Sequence, residues 1–335
     1  GFKMGETAKI VRFPELGGPE VLRIEELPMP QPGQGEVRLR VKAIGLNRAE
    51  LAFCRGRYLI APELPSKLGY EASGVVEAVG PGVDPGLIGK KMSSVPGFAA
   101  NKYGVYGEVA ILPASAMAEY PAKLSYEEAT SIWMQYMTAY GALVHFGRMG
   151  AGDYVLITAA SISGGRAARE RARGEGAVPI AATRTAKKKA ALLEAGAHAV
   201  IVTDEEDIVA RTNEITGGKG ARLIFDPVAG PGLESLALAA ARGGTIFEYG
   251  ALSGKPTPYP LIPAMLKSLL IQAYTLFPIT FDPELCKQAK AYVYGHLEAG
   301  DFKPRIDRTF PLAEIAEAHR YMERNEQIGK IVVTV

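Results

Sequence analysis

Six short apolar segments recur through the second half of the chain, at 154–158, 178–182, 199–202, 222–226, 244–249 and 269–274, separated by stretches of helical composition. Strands that alternate with helices are joined by crossovers, and crossovers make neighbouring strands parallel. The series therefore predicts an α/β fold built on a doubly wound parallel sheet. Residues 7 to about 128 follow a different rule. Segments 8–13 and 36–42 alternate apolar and charged side chains, the pattern of half-buried strands. Pro28, Pro30, Pro32, Gly33 and Gly35 punctuate the loop between them. A further strand pair surrounds 74–80. After Phe277 come a helix, the segment 308–312, a second helix through Met322 and a closing strand at 329–335. There is no internal repeat and no low-complexity tract.

The turn after the first of the six strands points to chemistry. From Ala159 to Gly165 only Ile162 is bulky, and helical composition follows up to Gly174. A tight turn at the mouth of a parallel strand lets backbone amides and a helix N-terminus meet a pyrophosphate. The turn lacks a full G-x-G-x-x-G, so it fits either a dinucleotide site or an ordinary glycine-bearing βα turn. The second strand ends at Thr183, and Arg184-Thr-Ala-Lys-Lys-Lys189 follows at once. An NAD site usually places Asp or Glu there for the ribose 2′-hydroxyl. Here Arg184 and Lys188 stand in that place, matched to a 2′-phosphate, although a solvated basic helix start has the same composition. NADPH is the cofactor these cations favour.

Composition fits an ordinary enzyme of two domains: 335 residues, 47% of them hydrophobic. A net charge of +2 gives no case for nucleic acid or an anionic membrane surface. The two cysteines, Cys54 and Cys286, make no disulfide framework and fit a reducing, cytoplasmic setting. No apolar run reaches membrane-span length, and no signal peptide is legible. Gly1-Phe-Lys3 ahead of Met4 is read as lying outside the fold.

The chain as a whole resembles the zinc-independent quinone oxidoreductase branch of the medium-chain dehydrogenase/reductase superfamily. The matching residues run from end to end: Gly45-Leu-Asn47, Arg55-Gly-Arg-Tyr58, Pro65-Ser-Lys-Leu-Gly69-Tyr-Glu71-Ala-Ser-Gly74 and Thr138-Ala-Tyr140. Phe225-Asp226-Pro-Val-Ala-Gly230, Tyr249-Gly250-Ala-Leu-Ser-Gly254, Ile306-Asp-Arg-Thr-Phe-Pro-Leu312, Ala318-His319-Arg-Tyr-Met and Gly329-Lys330-Ile-Val-Val continue the series. The resemblance implies a GroES-like β-rich catalytic domain (4–128 and 277–335) and a Rossmann NADP-binding domain (129–276). It also implies a homodimer or homotetramer. It places cofactor contacts at Asn47, Thr138, Ser163, Gly164, Gly165, Thr183, Arg184, Lys188, Tyr249, Ala251, Leu252 and Lys330, and catalytic groups at Asn47, Tyr58 and Tyr70.

No metal site is expected. A catalytic zinc needs about three soft or borderline protein ligands. Zinc alcohol dehydrogenases of the superfamily offer Cys where this chain has Asn47 and His where it has Tyr70. The stretch 95–108, matching their four-cysteine lobe, has no cysteine. Cys54 reads as a small apolar side chain, and His145, His198, His296 and His319 as structural. Without a metal, a hydride acceptor must already be electrophilic, as a quinone or conjugated carbonyl is. The protein then positions the partners and donates hydrogen bonds to the oxygen that gains charge. Asn47, Tyr58 and Tyr70 are candidate donors, and each fits plain packing too. Phe53, Leu59, Ile60, Tyr103 and Phe277 suggest a small hydrophobic ligand. The alternatives are enoyl-thioester reduction, alcohol oxidation, or a non-catalytic NADPH-binding or structural role.

One stretch departs from the family pattern. Arg166, Arg169 and Arg173 share a helical face where an apolar one is expected. Ala168 and Ala172 offer a small face to turn inward, with the arginines directed to solvent or paired with acids.

Overall fold

The computed structural model describes residues 5–159, 162–169 and 176–335; for Ile162 and Ser163 only the backbone is described. The chain divides into two units. One comprises Gly1–Met134, Thr280–Tyr294 and Lys303–Val335, the other Gln135–Ile279 and Gly295–Phe302. The segment Gly295–Phe302, expected with the first unit, falls in the second. Aromatic stacking supplies the reason: Phe302 lies 4.3 Å from the Tyr136 ring at an interplanar angle of 6°, and His296 covers it at 4.7 Å.

The second unit carries six parallel strands: β1 (Tyr154–Ile157), β2 (Val178–Thr183), β3 (Ala199–Val202), β4 (Ala221–Asp226), β5 (Ala240–Glu248) and β6 (Leu270–Ala273). Their order is β3-β2-β1-β4-β5-β6, the doubly wound order with its switch point beside β1. Strands buried on both faces read as continuous apolar runs. Leu156, Ile180, Ile201, Ile224 and Ile246, one from each of the first five, are fully buried in a shared core. β5 starts earlier than its apolar pattern suggests, because Ala240 pairs with Ala221 ahead of a register shift. The arginine-bearing helix spans Ile162–Arg169. Ala168, one of the two small residues expected to turn inward, is fully buried, and so is Ala167. Arg169 is exposed, whereas Arg166 is half-buried with its Nε unpartnered. Arg173 and Ala172 lie outside the described residues.

The first unit is built on an antiparallel-rich sheet. Its central strand, Glu36–Gly45, pairs with Glu71–Val79 on one side and with the last strand, Lys330–Thr334, on the other. Val109–Pro113 also pairs with Glu36–Gly45, and Ile306–Pro311 runs parallel to Lys330–Thr334. Strand alternation is legible in the burial pattern: Val37, Leu39, Val41 and Ala43 are all at most 1% exposed. The helix Arg48–Cys54 follows the central strand directly. No helix among the described residues is long and apolar enough to cross a membrane.

Candidate active site

The polar cluster of the first unit begins at Gly45, the end of the central strand. Gly45 pairs with Glu71 on one side and Val332 on the other. A Cβ at Gly45 would sit 2.0 Å from the Thr130 carbonyl oxygen and 2.8 Å from Lys330 Cε. Glycine is therefore required, and its bareness lets the Lys330 side chain cross the strand end. Lys330 Nζ donates to Asn47 Oδ1 and to Glu71 Oε1, each at 2.7 Å. Asn47 Nδ2 donates to the same Glu71 oxygen at 3.1 Å, and to the Gly45 carbonyl at 3.5 Å. An ammonium has only donors, so its contact fixes which end of the Asn47 amide is oxygen.

A second layer lies behind. Asn47 precedes the helix Arg48–Cys54, and Glu50, three residues on, takes the Asn47 backbone N–H at 2.8 Å. Tyr106 Oη stands 3.2 Å from the same Glu50 oxygen and 2.8 Å from His319 Nε2. Glu50 and His319 are each 1% exposed. Burial raises the Glu50 carboxyl to about 8, against the pull of the Asn47 N–H and the Lys330 charge. Burial lowers His319 to about 4, so its ring is neutral at pH 7. One turn along the helix, Cys54 is buried, and burial with the Glu50 charge raises its thiol to about 12. It behaves as the small apolar group expected.

Tyr58 and Tyr70 form a pair within an aromatic ladder. Tyr70 Oη donates to Tyr58 Oη at 3.0 Å. Ring centroids step from Phe53 to Tyr58 (6.1 Å), Tyr58 to Tyr70 (6.4 Å), Tyr70 to Phe98 (5.5 Å) and Phe98 to Tyr103 (5.9 Å). Phe53, expected beside a ligand, is 2% exposed and packs on Phe13 instead; Leu59 is 68% exposed.

In the second unit, the expected cofactor residues gather at the carboxyl ends of the strands, except Thr138. Gly164 and Gly165 lie early in the helix after β1. Gly165 is buried, yet among the described residues a Cβ there would meet nothing within 4 Å. A missing side chain at that place suits a ligand's approach. Thr183 ends β2 with its side chain 7% exposed; Arg184 follows, exposed, and Lys188 is half-buried. Tyr249 follows β5 and stacks on Phe225 at 4.0 Å. The Leu252 N–H binds the Pro227 carbonyl at 3.0 Å, which shapes the turn holding Ala251. Thr138 lies in the helix Trp133–Ala139, where its carbonyl accepts from Tyr274 Oη at 2.9 Å. The Ser163 side chain lies outside the described residues. Together the bare turn, the cations after β2 and the strand-end loops fit a dinucleotide carrying a 2′-phosphate.

Sequence reasoning missed Glu50, Glu71, Tyr106 and His319 as members of the first cluster. It also missed an acid pair in the second unit. Asp226 ends β4, accepts from Thr158 Oγ1, and takes the Ala229 N–H at 2.8 Å. Glu248 lies in register across from it at the end of β5. Burial and the Asp226 carboxylate push Glu248 up to about 9, so it is neutral at pH 7. Held protonated, Glu248 shares its proton with the Asp226 carboxylate in a side-chain hydrogen bond.

The comparisons agree with this architecture. Residues 33–122 match the alcohol dehydrogenase GroES-like domain, and residues 195–333 match a family described as zinc-binding dehydrogenase. Among the described residues, no three His, Cys, Asp or Glu side chains converge as a metal site would require. The quinone oxidoreductase of Pseudomonas aeruginosa is 30% identical over 97% of this chain and 99% of its own. A 2-haloacrylate reductase from a Burkholderia species is 30% identical over 95% and 96%. The Escherichia coli quinone oxidoreductase, solved as a complex with NADPH, superposes with a TM-score of 0.89 at 30% identity, covering 98% of this chain and 100% of that one. The chain belongs to the quinone oxidoreductase-like branch of the medium-chain dehydrogenase/reductase superfamily.

Proposed function

We propose that this protein reduces quinones or α,β-unsaturated carbonyls at the expense of NADPH. That it is an NADPH-dependent oxidoreductase rests on the family and on relatives solved with NADPH bound. The residues that would hold the cofactor are Gly164, Gly165, Thr183, Arg184, Lys188, Tyr249, Ala251 and Leu252, with Lys330, Asn47 and Thr138 as further contacts. Bound NADPH supplies a hydride to an electrophilic carbon. The chain's own part is orientation and charge. Arg184 and Lys188 offer cations to the 2′-phosphate. Glu248, held neutral, spares the strand ends a second negative charge beside Asp226. Asn47, fixed through its amide by Lys330 and Glu71, sets the geometry of the substrate end.

The single observation behind the choice of acceptor is the Lys330–Asn47–Glu71 cluster, 2.7 Å on two sides. A covalently held ammonium stands between the Asn47 amide and Glu71, the neighbour of Tyr70. Both positions expected to hold zinc ligands in the zinc relatives are thus non-ligand side chains, Asn47 and Tyr70. Acceptors activated by their own conjugation suit such a site. The test is NADPH oxidation against quinones, enones, 2-haloacrylate and enoyl thioesters. Turnover of the first two groups supports the reading, and turnover of simple alcohols alone with NADP⁺ sinks it.

A second copy of the chain is proposed as partner. β6 is an edge strand among the described residues. Leu270 on it is 64% exposed, and Ile262, Met265 and Leu266 of the helix Leu261–Lys267 are 63%, 66% and 67% exposed. An apolar edge is self-complementary around a two-fold axis and needs cover. Light scattering should report a dimer or tetramer, and Leu270→Lys should dissociate it.

A further inference from the structure

Three side chains near the substrate end were candidates to donate a hydrogen bond to the oxygen that gains charge. The geometry separates them. The Asn47 amide nitrogen directs its protons to Glu71 Oε1 at 3.1 Å and to the Gly45 carbonyl at 3.5 Å. The Tyr70 hydroxyl proton goes to Tyr58 Oη at 3.0 Å. Tyr58 accepts that bond, and its own O–H has no acceptor among the described residues. Its side chain is half-buried, while Tyr70 is 2% exposed. The Tyr70 ring is held between Tyr58 at 6.4 Å and Phe98 at 5.5 Å, so its hydroxyl has a fixed origin. A hydroxyl has one proton to give. Once its lone pair is engaged by Tyr70, the Tyr58 O–H is turned away from that partner and polarised into a stronger donor.

We propose that Tyr70 is a positioning residue that presents the Tyr58 proton to the substrate oxygen, Tyr58 being the donor that touches substrate. The assignment rests on the reductase reading. The displaced electron pair of the conjugated system collects on the carbonyl oxygen, where Tyr58 stabilises it, and solvent supplies the proton that completes the product. Tyr58 keeps its own proton throughout. Burial supports this, since it raises both phenols above their ordinary values.

Two readouts test the idea in the full-length protein. The first needs no turnover. In protein labelled with 3-fluorotyrosine, the Tyr58 signal is identified by its loss in Tyr58→Phe. It should shift in Tyr70→Phe while NADPH affinity stays within about twofold. The second is a double-mutant cycle on a quinone or enone. Tyr58→Phe should lower kcat by about tenfold to a hundredfold, on the scale of one lost oxyanion donor. Tyr70→Phe should lower kcat by less, and by nothing further when Tyr58 is already Phe. Should Tyr70→Phe fail to fold, Tyr70→3,5-difluorotyrosine keeps the ring and strengthens the donor, and should raise kcat. An unmoved Tyr58 signal, an equal loss in both backgrounds or an unchanged kcat with the fluorinated residue overturns the Tyr70 assignment. A parent protein inactive on quinones and enones, but with the Tyr58 signal shifted by Tyr70→Phe, overturns the reductase reading, and the substrate role of the pair with it.

Discussion

The two clusters handle charge in opposite ways. Around Asn47 the polar groups hold one another: Lys330 meets Glu71 and Asn47, and Glu50 Oε1 takes the Asn47 N–H and lies beside Tyr106. At the strand ends of the second unit the arrangement is more open. Arg184 is exposed, and among the described residues nothing lies within 4 Å of where a Gly165 side chain would be. The first arrangement is preorganised, so it loses little on reorganisation when substrate arrives. The second presents an exposed cation after β2, so ligand affinity rather than stability should report on it. The difference teaches which residues to disturb for stability and which for affinity.

The sharpest break of the contrast is Lys330→Met. Removing one partner of a buried pair leaves Glu71 uncompensated and should cost about 3–5 kcal/mol of stability. Lys330 is 9% exposed and Glu71 1%, so solvent screening gives little relief. Chemical denaturation measures the loss, and a value near zero would place Lys330 with the loosely held cations of the other unit.

A smaller effect follows from the two buried acids. Both Glu50 and Glu248 have folded values raised above the unfolded one, to about 8 and about 9. Between the unfolded value and the folded one, the native state holds more protons than the unfolded state. Stability therefore falls as pH rises from about 5 to about 8 or 9, and is greatest for these groups below that window. Glu50→Gln should flatten the fall by up to a few kcal/mol, and Glu248→Gln should flatten it up to a higher pH. Denaturation series at pH 5, 7 and 9 check this; unchanged slopes in both variants would mean the acids are ionised in the folded protein.

Affinity should respond in the second unit instead. Arg184→Ala should weaken NADPH by roughly 1.5–3 kcal/mol, or about tenfold to a hundredfold, and leave NADH nearly unchanged. Titration calorimetry with both cofactors reads it directly. The smallest effect belongs to Arg169→Leu. The arginine is exposed on the helix after β1, so its replacement should change stability by at most about 0.5 kcal/mol.

Much of this contrast was legible beforehand, for physical reasons. Strands buried on both faces write uninterrupted apolar runs, so the six parallel strands could be placed to within a few residues. Asn47, Tyr58, Tyr70 and Lys330 could be named because motifs carry them, and the fold brings them into two pairs. The second layer was harder. Glu50 and Tyr106 stand 56 residues apart, and Tyr106 and His319 213 apart, so no local pattern links them. Glu50 had one local signal, an acid three residues after Asn at a helix start. Glu248 had another, an acid closing an otherwise apolar strand. The stacking of Phe302 on Tyr136, which carries Gly295–Phe302 into the second unit, left no trace in periodicity.

The most direct test of the account is backbone hydrogen exchange with and without NADPH, with NADH as the control. The account predicts that exchange slows on NADPH binding at 183–189 and 249–253, and slows less with NADH. It further predicts that 43–50, 71–76 and 330–334 are already protected in the free protein and change little. Protection that instead appears first around Asn47, Glu71 and Lys330, with the ends of β2 and β5 unaffected, would contradict it.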